Sequence, residues 1–98
     1  MVEKIKSEDV DHLIRAFMLL ENTDEYYKFF DDLCTVAEIK EMSKRLRAAK
    51  MLKEGAVYNE ISDTTGLSTA TISRVSKCLK YGSDGYSLVL ERLEQNER

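Results

Sequence analysis

TGLSTATISRV, residues 65–75, decides how this 98-residue chain folds. One glycine is followed by a run of small hydroxyl residues and an arginine, with Leu67, Ile72 and Val75 spaced for burial. Ser and Thr are mediocre helix formers because their hydroxyls compete for the backbone, so helix stability alone does not account for them. The preceding VYNEISDTTG predicts a short helix from about Tyr58 to Thr65. Gly66 then supplies a turn with positive φ, and Ser68 caps a second helix running to about Tyr81. Ile61 fits the inward position of the first helix, and Ser62 fits the small position where the second helix approaches. Filled apolar slots, a small slot and a glycine turn over 58–80 predict a helix-turn-helix.

Helical geometry, at about 100° per residue, sorts the second helix into two faces. With Ile72 inward, Val75 and Leu79 share its side; Ala70, Ser73, Arg74 and Lys77 point away, with Thr69 and Thr71 on the flanks. Arginine pairs with guanine, Ser and Thr meet any base or a phosphate, and Ala or a Thr methyl touches the thymine methyl. Short side chains also let a helix seat deeply in the major groove. The hydroxyl-rich face is therefore read as a DNA-reading surface.

Further out, TVAE at 35–38 is a capping box that launches the longest helix, through Lys53, with Gly55 at its stop. Ile39, Met42, Leu46, Ala49 and Leu52 form its apolar stripe, and Lys40, Lys44, Arg45, Arg47, Lys50 and Lys53 surround that stripe as a solvated face. Ser7 opens an earlier helix carrying Val10, Leu13, Ile14, Phe17 and Leu20 or Leu19 at helical spacing. TDEYYKFFDDLC opens another on a Thr-Asp-Glu cap, with Tyr26, Phe29, Phe30 and Leu33 on one stripe suited to a core or a dimer interface. YGSDGY breaks the chain before a last amphipathic helix, DGYSLVLERLEQNER. With no proline and four glycines, the expectation is an all-α single domain of six helices over 1–98.

The net charge of −3 conceals a regional polarity. Residues 1–34 carry −5, residues 35–80 carry +4 and residues 81–98 carry −2, while 68–80 alone carry +3. A local basic field serves a phosphate partner whatever the total charge. Cys34 and Cys78 have no partner at metal-ligand spacing and read as free, buried thiols in a reducing compartment. His12 stands alone with no nucleophile beside it, so neither a metal site nor an enzyme is expected. No apolar run reaches membrane-spanning length and the acidic N-terminus is no signal peptide, which points to the cytoplasm.

The segments LCTVAEIKEMSKRLRAAKMLKEG and ISDTTGLSTATISRVSKCLKYG resemble the tryptophan repressor family. FFDDLCT and STATISRV resemble the Trp-repressor-like group called YerC/YecD, and the resemblance spans roughly residues 7 to 95. It implies an intertwined all-helical homodimer, in which the N-terminal helices of one subunit pack on the other, and a regulator bound to an inverted-repeat operator in double-stranded DNA. The family's reading positions correspond to Thr69, Ala70 and Ser73, beside Ser68, Thr71 and Arg74. A first-helix arginine of the family is Asn59 here and a neighbouring lysine is Ser62, while Lys77 and Lys80 suit phosphate contacts. The corepressor pocket would fall at Arg45, Arg74, Thr35 and Thr71. Its glycine is Val75 here and its serine is Cys78, so tryptophan binding is expected to be weak or absent; any small-molecule effector is unidentified, and no other cofactor is expected. A protein-interaction module that keeps the helix-turn-helix shape without DNA is the alternative, favoured by the net acidity and the missing first-helix cations.

Overall fold

The computed structural model describes residues 2–97. After a 3-10 turn at Val2–Lys4, six α-helices follow: α1 (Glu8–Met18), α2 (Thr23–Leu33), α3 (Val36–Lys53), α4 (Tyr58–Thr65), α5 (Thr69–Tyr81) and α6 (Gly85–Asn96). There is no strand among the described residues. The chain forms two compact units, Met1–Ile39 and Lys40–Arg98.

In the N-terminal unit each helix start is fixed by a side chain that accepts an otherwise orphaned N–H. Ser7 Oγ accepts from Val10 N–H at 3.1 Å. For α2 the cap is Asn22, whose Oδ1 accepts from Glu25 N–H at 3.0 Å; the Thr23 expected in that role is already helical. Either residue type caps, and Glu25 Oε1 accepting from Glu21 N–H at 2.8 Å reinforces the start at Asn22. The Phe17 ring gathers the aromatics, with Phe29 edge-on at 5.3 Å, Phe30 tilted at 5.7 Å and Tyr26 stacked at 6.3 Å between centroids. α1 ends at Met18, short of both alternatives for the last position of its stripe; beyond it Leu20 is half-buried and Leu19 exposed. Neither α1 nor α2 contains a buried residue. Ile14, Met18, Tyr27 and Leu33 all stand in solvent.

The capping box at the start of α3 forms as expected. Thr35 Oγ1 accepts from Glu38 N–H at 3.1 Å, and Glu38 Oε1 accepts from Thr35 N–H at 2.9 Å. The Thr35 N–H donated to it, and next the Thr35 hydroxyl beside it, hold the Glu38 carboxyl below its ordinary pKa. At the other end Gly55 takes φ 89°, and Ala56 N–H and Gly55 N–H reach back to the Met51 and Leu52 carbonyls, a glycine-terminated Schellman stop.

The C-terminal unit holds the core. One cluster joins Ala48, Ile61, Leu67 and Ile72; the other joins Ala49, Val75 and Leu90, with Leu52 half-buried against both. Ile61 and Ile72 are fully enclosed, each contributing about 1.5–3 kcal/mol by removal from water. On α3 the buried positions are Ala48 and Ala49, while Met42 is 46% exposed. The expected stripe is therefore corrected: two adjacent alanines let α4–α6 approach closely, and Met42 lies outside that contact. No helix of the described residues is long and apolar enough to cross a membrane.

Candidate nucleic-acid interface

The turn between α4 and α5 is fixed by local bonds. Gly66 adopts φ 78° and donates its N–H to the Ser62 carbonyl at 2.8 Å. Thr65, buried, donates its hydroxyl to the Ile61 carbonyl at 2.7 Å and accepts from Leu67 N–H at 3.2 Å. Ser62 Oγ donates to the Leu67 carbonyl at 2.8 Å. Leu67 is thus tied by both backbone groups while its side chain enters the core. Sequence reading assigned Ser62 its small size and missed Thr65; a Thr at the last turn before a helix-ending glycine is the signal available for it.

Ser68 caps α5, accepting from Thr71 N–H at 3.1 Å, and its own hydroxyl donates to Thr71 Oγ1 at 3.1 Å. These two hydroxyls are partly committed to building the helix start. Beyond them the expected faces hold: Ile72 and Val75 are buried, Leu79 half-buried, and Thr69, Ala70, Arg74, Lys77 and Lys80 exposed. Ser73 is half-buried, nearer the flank than the crest, and Ser76 is buried beside Val75. α5 contains no acidic residue, and no ion pair engages Arg74, Lys77 or Lys80 among the described residues. Asn59 is exposed on the first turn of α4. Lys44, read as part of the solvated face of α3, brings its ammonium to 4.0 Å from where a Cβ on Gly66 would stand. That adds a cation beside the turn which linear spacing did not reveal.

Arg45, Thr71, Arg74, Val75, Cys78 and Tyr86 line one small cleft of about 70 Å³. Three of the four residues expected to form a ligand pocket are therefore together. The fourth, Thr35, belongs to the N-terminal unit, where it caps α3. Arg45 Nε lies 3.4 Å from Glu41 Oε1, leaving the rest of the guanidinium open. Tyr86, from α6, was not anticipated; its ring packs against the Ala49–Val75–Leu90 cluster. Burial raises its pKa first, the neighbouring Cys78 adds to this, and Arg45 opposes it. Both thiols are free, but Cys78 is exposed and Cys34 half-buried, which corrects the expectation of buried thiols. Cys78 lies on the cleft side of α5, not on its core stripe.

Two larger clefts lie along α3 and α6. One, of about 400 Å³, is lined by Leu46, Leu90 and Leu93 with Lys44, Arg47 and Lys50; the other, of about 460 Å³, shares Lys50, Leu90 and Leu93 with it and is otherwise lined by Lys53 and the carboxylates Glu54, Glu94 and Glu97.

Other bacterial proteins are similar in sequence or fold. The chain is 45% identical over 96 residues to the uncharacterised protein YerC of Bacillus subtilis, covering 98% of this chain and 92% of that one. Its structure superposes with a TM-score of 0.90 on a candidate Trp repressor from Staphylococcus aureus, 48% identical, over 96% of this chain and 94% of the other. A TrpR-like protein from Eubacterium eligens gives the same TM-score at 49% identity, over 94% and 95% of the two chains. The family model described as Trp repressor protein matches residues 8–94, a span that contains all six helices except the last two residues of α6. On sequence and on fold together, the chain belongs to the Trp repressor family.

Proposed function

We propose that this protein is a sequence-specific regulator of transcription, of repressor type, that binds double-stranded DNA through α4 and α5. The observation that carries the reading is the division of α5. Leu67, Ile72 and Val75 anchor it in the core, and the opposite side displays Thr69, Ala70, Arg74 and Lys77 with no carboxylate among them. Ala70 and Thr69 meet bases, Arg74 reaches a base or phosphate, and Lys77, Lys80 and Asn59 hold the backbone. Ser68 and Thr71 set the helix start that aims these groups.

The working unit in this proposal is a homodimer in the cytoplasm. α1 and α2 expose Ile14, Met18, Tyr27 and Leu33, apolar side chains that a partner would cover. The α3–α6 cleft of about 400 Å³ offers leucines rimmed by lysine and arginine, and residues 1–34 carry −5, so a second copy's N-terminal helices match it in both respects. Two reading helices related by a twofold axis meet successive major grooves roughly 34–36 Å apart, and the operator is an inverted repeat. In this proposal tryptophan binds weakly or not at all, because Val75 and Tyr86 both line the small cleft.

Selection of purified protein on a pool of random duplex DNA, with and without tryptophan, tests this. Enrichment of one inverted repeat in both conditions is expected. Enrichment only with tryptophan overturns the effector statement. No enrichment in either leaves the helix-turn-helix as a protein-interaction module.

A further inference from the structure

A cleft of about 380 Å³ lies on the flank of α5 that faces the first residue of α4, and it shares no residue with the Arg45–Arg74 cleft. At about 100° per residue, Ser76 and Lys80 stand about 40° and 80° to one side of the buried Ile72, whereas Thr71 and Cys78 stand about 100–120° to the other. Leu52 and Leu79 form its apolar part, half-buried side chains that pack on the Ala49–Val75–Leu90 cluster and are held there by the core. Lys53 and Lys80 bring two ammonium groups from the ends of α3 and α5, and Tyr58, Ser76 and Ser87 bring hydroxyls. No carboxylate lines it among the described residues.

Ser76 points to a ligand. It is 8% exposed, yet its hydroxyl makes no hydrogen bond among the described residues, and neither do those of Tyr58 and Ser87. A helical serine can satisfy itself on the carbonyl four residues back, and buried hydroxyls without a protein partner are rare. Because Ser76 lines the cleft, the partner that its hydroxyl lacks has to come from there. Lys80 makes no ion pair among the described residues. The Lys53 ammonium stands 4.0 Å from Glu91 Oε1, an exposed contact at the limit of pairing that solvent screens.

A bare inorganic anion would leave the two leucines in water, and a purely apolar ligand would leave the serine and both ammonium groups without partners. A carboxylate on an apolar body meets both, and the volume falls within the range of small-molecule sites, roughly 300–1,000 Å³. We propose that this cleft binds a small organic carboxylate with an aromatic or branched aliphatic body, the carboxylate held by Lys53, Lys80 and Ser76 and the body laid on Leu52 and Leu79. The site goes beyond DNA binding and does not require it. Lys80 is also assigned to a DNA phosphate, so the test is made without DNA and the two readings fail separately.

The test titrates 2-naphthoate, a rigid aromatic carboxylate, into the DNA-free full-length protein at constant ionic strength, following backbone amide and leucine methyl signals by NMR. Saturable shifts are expected at Leu52, Tyr58, Ser76, Leu79 and Ser87. Ser76→Ala, which keeps the fold because it removes an unpaired hydroxyl, weakens binding about twofold to tenfold, the effect of losing one neutral hydrogen bond. Lys53→Gln weakens it about tenfold or more, the effect of losing a charged one. Lys40→Gln, an exposed charge change elsewhere on α3, leaves it unchanged. Neutral 2-naphthamide and inorganic phosphate each bind at least about tenfold more weakly than 2-naphthoate, because each lacks one half of the match. Absence of saturation, shifts confined to the Arg45–Arg74 cleft, or wild-type affinity in both Ser76→Ala and Lys53→Gln overturns the proposal. So does equal loss in all three variants, or an amide or phosphate that binds as tightly as the carboxylate.

Discussion

Replacing Thr65 with valine changes almost no volume and removes two of the hydrogen bonds that close the turn. In the native turn the Thr65 hydroxyl donates to the Ile61 carbonyl at 2.7 Å and accepts from Leu67 N–H at 3.2 Å. Thr65 is 6% exposed and Leu67 5%, so water cannot take over freely. Thr65→Val leaves the Leu67 N–H without its acceptor, a loss of about 1–3 kcal/mol. The added methyl returns at most ~0.8 kcal/mol by burial. The net expectation is about 1–2 kcal/mol of destabilisation. Thr65→Ser keeps both hydrogen bonds and loses only a buried methyl, ~1 kcal/mol or less. Urea unfolding of the three proteins at one fixed protein concentration measures the difference, the concentration being held because association shifts apparent stability. Thr65→Val is expected to have the lowest midpoint with an unchanged slope. Wild-type stability in Thr65→Val, or greater loss in Thr65→Ser, would refute the claim that the hydroxyl holds the corner.

Other outcomes follow from the same geometry. Gly66→Ala has room, since only the Lys44 ammonium comes within 4.0 Å of the new Cβ, yet φ 78° costs about 1–2 kcal/mol; Gly66→Asn, which tolerates that region better, loses less in the same unfolding assay. Ile72→Ala, emptying a fully enclosed site, costs about 2–5 kcal/mol in denaturant unfolding. Lys77→Ala weakens binding to all duplexes and flattens the dependence on salt, whereas Thr69→Ala changes the preferred sequence, by about 1–3 kcal/mol at the contacted base; identical behaviour of the two in a binding titration contradicts the assigned faces. Glu38 is held below its ordinary value of 4.5 by the capping bonds, so its stabilising contribution is full above that pH and fades as the pH falls through the lowered folded value. Glu38→Gln therefore removes a decline on the acid side, read from thermal unfolding against pH.

What the sequence revealed and what it concealed divide along the range of the forces involved. The ends of α3, α4 and α5 were legible because caps and left-handed glycines act over three or four residues: Thr35 with Glu38, Gly66, and Ser68 with Thr71. The faces of α5 were legible because Ile72 and Val75 fix a rotation. On α3 the rotation was ambiguous, since alanines carry little hydrophobic signal, and the larger Met42 was favoured over Ala48. Tyr86 entered the Arg45–Arg74 cleft from a helix far along the chain, a placement no local pattern encodes. The Lys44 ammonium above the turn was hidden for the same reason.

The two sides of α5 also bear on how such proteins diverge. Leu67, Ile72 and Val75 carry the packing, while Ala70, Arg74 and Lys77 are exposed and the charged side chains of the last two make no ion pair among the described residues. A lineage can therefore exchange those outward residues one at a time without a folding penalty, and target preference can drift while architecture stands still. Ser68 and Thr71 are the exception, because their hydroxyls build the helix start as well as face outward. Change at those two positions alters recognition and stability together, so retargeting should run through 69, 70, 73 and 74 and leave 68 and 71 largely alone.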